Sequence, residues 1–443
     1  MKQTVSVVGL GKLGLPLAAS FAHKGISTIG VDVNEQVVNS INQGKAPFYE
    51  PQLDDFMQRL GGSKLKATLD HKEAIVNTDV TFVLVATPSM ADGSFSNHQV
   101  ESALKSLSEA FAEVDKEYHV FVISSTVVPG SVTESFIPII EKYSGKKLGA
   151  DFDVCFDPDF VKLGSVIHDF LNPELIIIGE TSQRAGAIVE RIHTTIVDNE
   201  PKISHMSIVS GEIAKITLNA YITMKISFAN TVANICEKIP GADVDAITSG
   251  IGVDKRISPY FFKGAMPFGG TCFPRDTKAF ISIAERYEND ALIVKAVESI
   301  NQYQHTKLAQ KVKELSAKRS TKTIGVLGLA FKPTTPVIIE SPAIKLIEEL
   351  LQEEYSVIVY DPLAMENTKA VFGDKIVYAD SVEKCLQSAP VNVVTLADKN
   401  IKKKVEAFVP QSSILVYDCW RAIDSAKLDS NIEYVALGYY SEN

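Results

Sequence analysis

At 443 residues, with 45% hydrophobic and 22% charged side chains, the chain has the composition of an ordinary globular protein and is too long for one core, so two or three domains are expected. A formal net charge of −10 without any long basic run removes the electrostatic basis for gripping a nucleic-acid backbone. Five scattered cysteines without a C-x-x-C pair speak against a disulfide framework or a zinc site and for a reducing, cytoplasmic setting.

Lys2 stands ahead of an apolar stretch much as in a signal peptide, but the glycines that follow have another use, described below. Residues 4–9 have the pattern of a buried strand, 14–24 of a helix, 28–32 of a second strand, and 80–85 and 120–124 of later ones. Strands separated by helical patterns imply parallel β-α-β units. From about 210 to 238 the pattern becomes one long helix, the kind that scaffolds domains or builds a dimer interface. The opening grammar then returns: a strand at 323–327, a loop from Gly328, a helix at 342–352, a strand at 357–360 ending at Asp361, and strands at 391–396 and 414–417. The expected fold is α/β, with two Rossmann-like doubly wound parallel-sheet domains joined by a long central helix and helical region. Boundaries are placed at 1–205, 206–305 and 306–443. No uninterrupted apolar stretch of about 18 residues occurs, so no membrane span is expected.

Gly9-Leu10-Gly11-Lys12-Leu13-Gly14 follows the first strand directly and opens the first helix. Glycines there permit a tight turn, approach of backbone to a pyrophosphate, and close packing of helix on strand, while the helix start offers unpaired N–H donors. Asp32 ends the second strand at the distance expected for a carboxylate that bonds ribose hydroxyls. With no Arg or Lys just after it, Asp32 favours NAD over NADP, because a carboxylate repels a 2′-phosphate. Thr87 and Thr126 follow later strands, at the edge where open α/β sheets place ligands; each by itself also fits a plain loop.

The segment 268–276, FGGTCFPRD, is the most informative stretch elsewhere. Two glycines allow close approach to a ligand, and the Cys272 thiol beside Arg275 and a possible helix start is placed where negative charge on sulfur is favoured. A lone cysteine is usually inert packing; in this loop, in a chain with a dinucleotide turn, the nucleophile reading is preferred. Asp276 stands four residues on, so one helical turn could bring both side chains to one pocket. Lys215 and Asn219 are likewise four apart on the long helix, either as a solvated stripe or as a face that stabilises a developing oxyanion.

Together these stretches resemble the nucleotide-sugar 6-dehydrogenases, most closely those acting on UDP-glucose. The resemblance runs through GLGKLGLPLA at the start, PFYEP at 47–51, VATP at 85–88, STVVPG at 125–130, PDF at 158–160, AKITLNAY at 214–221, VDKRI at 253–257, FGGTCFPRD at 268–276, GLAFK at 328–332 and VYDP at 359–362. It implies an NAD-binding domain, a central helical region that forms a homodimer, a C-terminal domain that helps hold UDP, and a role in polysaccharide biosynthesis. It also implies two successive oxidations of a nucleotide sugar, with Cys272 carrying a thioester. Lys215 and Asn219 match the oxyanion-stabilising pair, Asp276 and Thr126 the groups that position water, and Asp159 the acid/base position. Gly9, Gly11, Lys12, Leu13, Gly14, Asp32, Thr87, Thr126 and Arg275 match cofactor contacts. Phe160, Lys215, Asn219, Arg256, Tyr260, Lys263, Gly269, Phe331, Lys332 and Arg421 match substrate contacts, with Arg256 reaching across the dimer. No metal is implied.

Three departures stand out. The usual P-E-F-L-x-E segment is Pro158-Asp159-Phe160-Val161-Lys162-Leu163, so one carboxylate is shortened and the other lost. The customary arginine before Glu340-Ser341 is Ile339, and the one before the strand near Ile176 is absent, where Glu174-Leu175 stands. These changes bear on substrate identity and cofactor affinity more than on the reaction. UDP-N-acetylhexosamine and GDP-mannose therefore remain alternative substrates, and a non-catalytic sugar-nucleotide-binding paralogue the alternative of another class.

Overall fold

The computed structural model describes residues 4–440; Lys2, which opens the signal-peptide-like stretch, lies outside them. The chain divides into two compact units, Met1–Thr217 and Leu218–Asn443, with one sheet in each.

The first unit holds β1 (Thr4–Val8), β2 (Ser27–Val31), β3 (Leu65–Thr68), β4 (Val80–Val83), β5 (His119–Ile123), β6 (Phe152–Phe156), β7 (Leu175–Glu180) and β8 (Lys202–Ser207). Their spatial order is β3-β2-β1-β4-β5-β6-β7-β8. Strand order therefore reverses between β1 and β4, and the crevice beyond their C-terminal ends is where such sheets take ligands. Helices cover both faces, so β4 and β5 are buried along their whole length and are largely apolar, with Thr81 and His119 as their buried polar members. The two faces are nonetheless separated by the period-2 pleat: Val5, Val7, Val120 and Val122 enter one core, Val8, Phe121 and Ile123 the other. β8, polar and partly exposed, closes the edge.

One pairing departs from the expected parallel series. β6 and β7 run antiparallel through Cys155–Glu180 and Phe156–Gly179, because the connection carrying residues 157–174 returns along the same end of the sheet instead of crossing over.

The helix expected from about 210 spans Ile208–Cys236, and the division between units falls inside it. Tyr221, Phe228 and Ile235, spaced by seven residues, are all more than half exposed, which leaves an apolar stripe along one helical face.

The second unit adds the helices Val244–Gly252, Phe273–Arg286 and Leu292–Lys318 before β9 (Thr323–Leu327), β10 (Ser356–Tyr360), β11 (Val377–Tyr378), β12 (Val391–Val394), β13 (Ile414–Asp418) and β14 (Ile432–Ala436). Their order, β11-β10-β9-β12-β13-β14, repeats the reversal of the first sheet, with every pair parallel. The helix Pro342–Gln352 starts and ends where the sequence places it. Among the described residues no helix is long and apolar enough to cross a membrane.

Candidate active site

The turn after β1 separates its three glycines by what they meet. Gly9 has φ +94°, and a Cβ there would lie 2.4 Å from the Leu84 carbonyl oxygen; one on Gly14 would lie 1.8 Å from the carbonyl oxygen of Gly9. Both are demanded by packing of the chain itself. A Cβ on Gly11 would meet nothing within 4 Å, so that glycine leaves open the space a pyrophosphate would need. The helix Gly14–His23 starts without a side-chain cap, which leaves its dipole and amide donors to an anion. Asp32, half-buried at the end of β2, accepts the Leu10 N–H at 2.7 Å and the Asn34 N–H at 2.9 Å, one on each oxygen. Each oxygen keeps a lone pair for a hydroxyl. The residues present therefore fit a dinucleotide.

The second sheet repeats this turn with a different outcome. Asp361 occupies the position of Asp32, but one oxygen accepts Leu329 and Ala330 N–H at 2.7 and 3.1 Å and the other Leu363 and Ala364 N–H at 2.7 and 2.8 Å. It is 2% exposed, and its acceptors are consumed in tying loops together. The free carboxylate belongs to the first unit.

Thr87 and Thr126 follow β4, which pairs with β1, and β5, the next strand out and parallel to both, so they share the C-terminal edge of β1. Ser125 Oγ accepts the Val85 N–H at 2.9 Å and donates to the Val85 carbonyl at 2.8 Å, joining the two loops. Glu212, sealed on the long helix, accepts the N–H groups of Gly130 at 2.6 Å and Val132 at 3.0 Å and anchors the loop of Thr126.

β6 delivers Asp157-Pro158-Asp159-Phe160 to the same edge. Lys215 Nζ donates to the Asp159 carbonyl oxygen and lies 4.7 Å from the Phe160 ring centroid. Asp159 Oδ2 is enclosed and has no hydrogen-bond partner among the described residues. Burial, reinforced by the neighbouring Asp157 carboxylate and opposed by Lys215 and His193, pushes the Asp159 carboxyl up to about 7. Glu50, of the PFYEP motif, accepts Gly164 N–H at 3.0 Å and Val166 N–H at 2.9 Å, capping the helix Val166–Leu171 and fixing the segment that ends in Leu163. The motifs gave no role to Glu50, Glu212, Asp157 or His193, since their partners lie 36 to 116 residues away.

In the second unit Cys272 is the N-cap of the helix Phe273–Arg286, so its sulfur stands at the positive end of the helix dipole. Among the described residues it is the exposed cysteine; Cys155, Cys236, Cys385 and Cys419 are buried, and burial pushes their thiols up, Cys385 to about 12. Close packing shapes the turn before it. A Cβ on Gly269 would lie 2.2 Å from the Glu340 carbonyl oxygen and one on Gly270 2.5 Å from the Phe331 ring. Asn301 brackets Phe268, accepting its N–H at 2.9 Å and donating to its carbonyl at 3.1 Å. One turn past Cys272, the fully buried Asp276 accepts Asn219 Nδ2 at 2.6 Å and Arg275 Nε at 2.8 Å, one on each oxygen.

The remaining substrate candidates differ in setting. Arg256 is exposed and held by Asp254 at 2.6 Å; Tyr260 is 69% exposed, its carbonyl accepting Lys225 Nζ at 2.6 Å. Phe261 meets Phe273 edge-on at 6.0 Å, which brings this loop beside the cysteine turn. Lys263 is exposed, while Phe331 and Lys332 are half-buried after β9. Arg421, with φ +53°, is almost sealed: it pairs with both oxygens of Asp245 at 2.8 and 2.9 Å and donates to the carbonyls of Gly264 at 2.6 Å and Leu437 at 2.7 Å.

Comparison with known proteins agrees with a dinucleotide site in the first unit. The chain matches the UDP-glucose/GDP-mannose dehydrogenase family in its NAD binding domain over residues 3–197, its central domain over 209–303 and its UDP binding domain over 325–425. A UDP-glucose 6-dehydrogenase of Haloferax volcanii is 38% identical over 395 residues, 88% of this chain and 90% of that protein. A GDP-mannose 6-dehydrogenase of Pseudomonas aeruginosa is 32% identical over 360 residues, 81% of this chain and 80% of that one. The solved structure of a UDP-glucose dehydrogenase from the archaeon Pyrobaculum islandicum shares the fold with a TM-score of 0.89 at 30% identity, covering 99% of this chain and 98% of that one. With a glycine turn and free Asp32 fitted to NAD in one unit and an exposed helix-capping cysteine in the other, the chain belongs to the UDP-glucose/GDP-mannose dehydrogenase family of NAD-dependent nucleotide-sugar dehydrogenases.

Proposed function

We propose that the protein oxidises the primary alcohol of UDP-glucose to the carboxylate of UDP-glucuronate, in the cytoplasm, through a thioester on Cys272. The observation that carries this reading is the exposed Cys272 at a helix N-terminus, one turn before the Asn219–Asp276 pair. NAD bound at the Gly9 turn, with Asp32 and Thr87 among its contacts, would be the electron acceptor for both oxidations, two per sugar.

After the alcohol has become an aldehyde, the Cys272 thiol adds across its carbonyl to give a hemithioacetal. Lys215 and Asn219, one turn apart on the long helix, stabilise the oxygen that gains negative charge. The second oxidation converts this adduct to a thioester, and water held by Asp276 then cleaves the carbon–sulfur bond, releasing the carboxylate and restoring the thiol. Asp159 accepts and returns protons during these steps. Phe160, Gly269, Tyr260, Lys263, Phe331 and Lys332 hold the nucleotide sugar; Arg421 acts through its grip on Gly264, next to Lys263. Arg256, exposed and paired with its near neighbour Asp254, suits a contact with a partner subunit, and the stripe Tyr221, Phe228, Ile235 suits a homodimer built on the long helix. The functional segments of this reading are 1–205, 206–305 and 306–443.

The test offers UDP-glucose, UDP-N-acetylglucosamine, UDP-N-acetylmannosamine and GDP-mannose with NAD and compares kcat/KM. UDP-glucose is expected to lead with two NAD reduced per sugar. A stoichiometry of one with an aldehyde product removes the thioester route, and absence of turnover with all four supports a non-catalytic binding protein instead.

A further inference from the structure

Directly after β6 lies a charged pair that the reaction as described does not use. Asp157 and His193 are 5% and 9% exposed, and His193 Nε2 stands 2.8 Å from Asp157 Oδ2. They come from different elements, the β6 terminus and the helix Gln183–Ile196. A carboxylate sealed in this way is costly unless paired, and bonding to it favours the charged form of the imidazole. Burial opposes the charge on His193, but the Asp157 carboxylate outweighs it and raises the imidazole above its ordinary value.

The pair sits one residue from Asp159, separated by Pro158, whose φ is fixed by its ring. The segment is held from three directions: the Asp157 N–H donates to the Ile123 carbonyl of β5 at 2.9 Å, the Asp157 side chain meets His193, and the Asp159 carbonyl accepts Lys215 Nζ. Three charged groups face the Asp159 carboxyl: Asp157 of its own segment, His193 of the helix packed behind, and Lys215 of the long helix. With the imidazolium present, Asp157 and His193 together present nearly no net charge to it. With the imidazolium removed, a bare carboxylate stands beside an enclosed oxygen that has no donor among the described residues.

We propose that the buried Asp157–His193 pair is a positioning device for the reaction, which fixes the Asp159 backbone and supplies the compensating positive charge that governs when Asp159 holds its proton. This rests on the reading of Asp159 as the acid/base group. His193 touches neither substrate nor cofactor in this scheme; it acts through Asp157. The three groups titrate as a coupled set, so one limb of the pH profile belongs to the set and not to Asp159 alone.

The experiment compares full-length wild type, His193→Gln and the double variant Asp157→Asn/His193→Gln in two readouts. One is the pH profile of kcat/KM with UDP-glucose and NAD. The other is infrared titration of the Asp159 carboxyl without substrate, its band identified by loss in Asp159→Asn. His193→Gln leaves Asp157 uncompensated and is expected to raise the Asp159 transition by about one pH unit or more; the double variant removes both charges and returns it toward the wild-type position, a reversal that loss of packing does not produce. A carboxyl transition unmoved in His193→Gln, or moved equally in the double variant, overturns the proposal. A transition that moves as expected in the infrared while the kinetic limb stays in place upholds the pair and rejects Asp159 as the acid/base group.

Discussion

Asn219 Nδ2 donates to Asp276 Oδ2 at 2.6 Å, and through that bond the long helix is tied to the helix that Cys272 caps. Asp276 is fully buried and also takes Arg275 Nε on its other oxygen, so its loss removes two hydrogen bonds at once. Asp276→Ala is expected to lower kcat by about 100-fold or more and the unfolding free energy by about 1–3 kcal/mol. Steady-state kinetics and urea denaturation check the two effects separately; a variant with near-normal kcat would remove Asp276 from the hydrolytic step.

Cys272 is exposed, so replacing it disturbs little packing. Cys272→Ser is expected to keep its unfolding free energy within about 0.5 kcal/mol while kcat falls by roughly 1000-fold or more. The reaction should stall after the first oxidation or at a stable ester, which counting NADH formed per sugar reveals. Unchanged turnover in this variant would sink the nucleophile assignment.

Two glycines of one turn should respond in opposite ways. Gly14→Ala puts a methyl 1.8 Å from the Gly9 carbonyl oxygen, and a loss of stability above about 2 kcal/mol is expected. Gly11→Ala meets no protein atom within 4 Å and should fold normally, yet weaken NAD by about tenfold, or about 1.4 kcal/mol. Thermal unfolding and the KM for NAD, measured side by side, separate a packing glycine from a ligand glycine.

Burial raises the Asp159 carboxyl to about 7 in the folded chain, above its value in an unfolded one. The protonated form therefore favours the fold: its contribution is fully present below about pH 4 and is lost as pH rises to about 7, because over that interval the unfolded state ionises first. Asp159→Asn, which cannot ionise, is expected to melt above wild type at pH 8 and to lose that advantage at pH 4. Equal differences in Tm at the two pH values would show that the carboxyl is not held protonated.

Local features of this protein were legible in its sequence because their causes are local. The glycine turn, the helix Pro342–Gln352 between its proline and its final glutamine, the long helix within two residues at each end, and Cys272 at a helix start all follow from spacing and backbone preference over a few residues. The two-fold use of one α/β grammar was visible for the same reason. What the tertiary structure alone decided lies in partners far apart along the chain: Glu50 on the amides of Gly164 and Val166, His193 on Asp157, Arg421 on Asp245 176 residues away, and the antiparallel turn from β6 to β7. The same distinction separates Asp32 from Asp361. Both end the second strand of a glycine-turn unit, and only the folded chain determines that Asp361 spends every oxygen lone pair on backbone amides while Asp32 keeps some for a ligand. A residue type sets which bonds a side chain is able to form; which of them are already taken is set by packing.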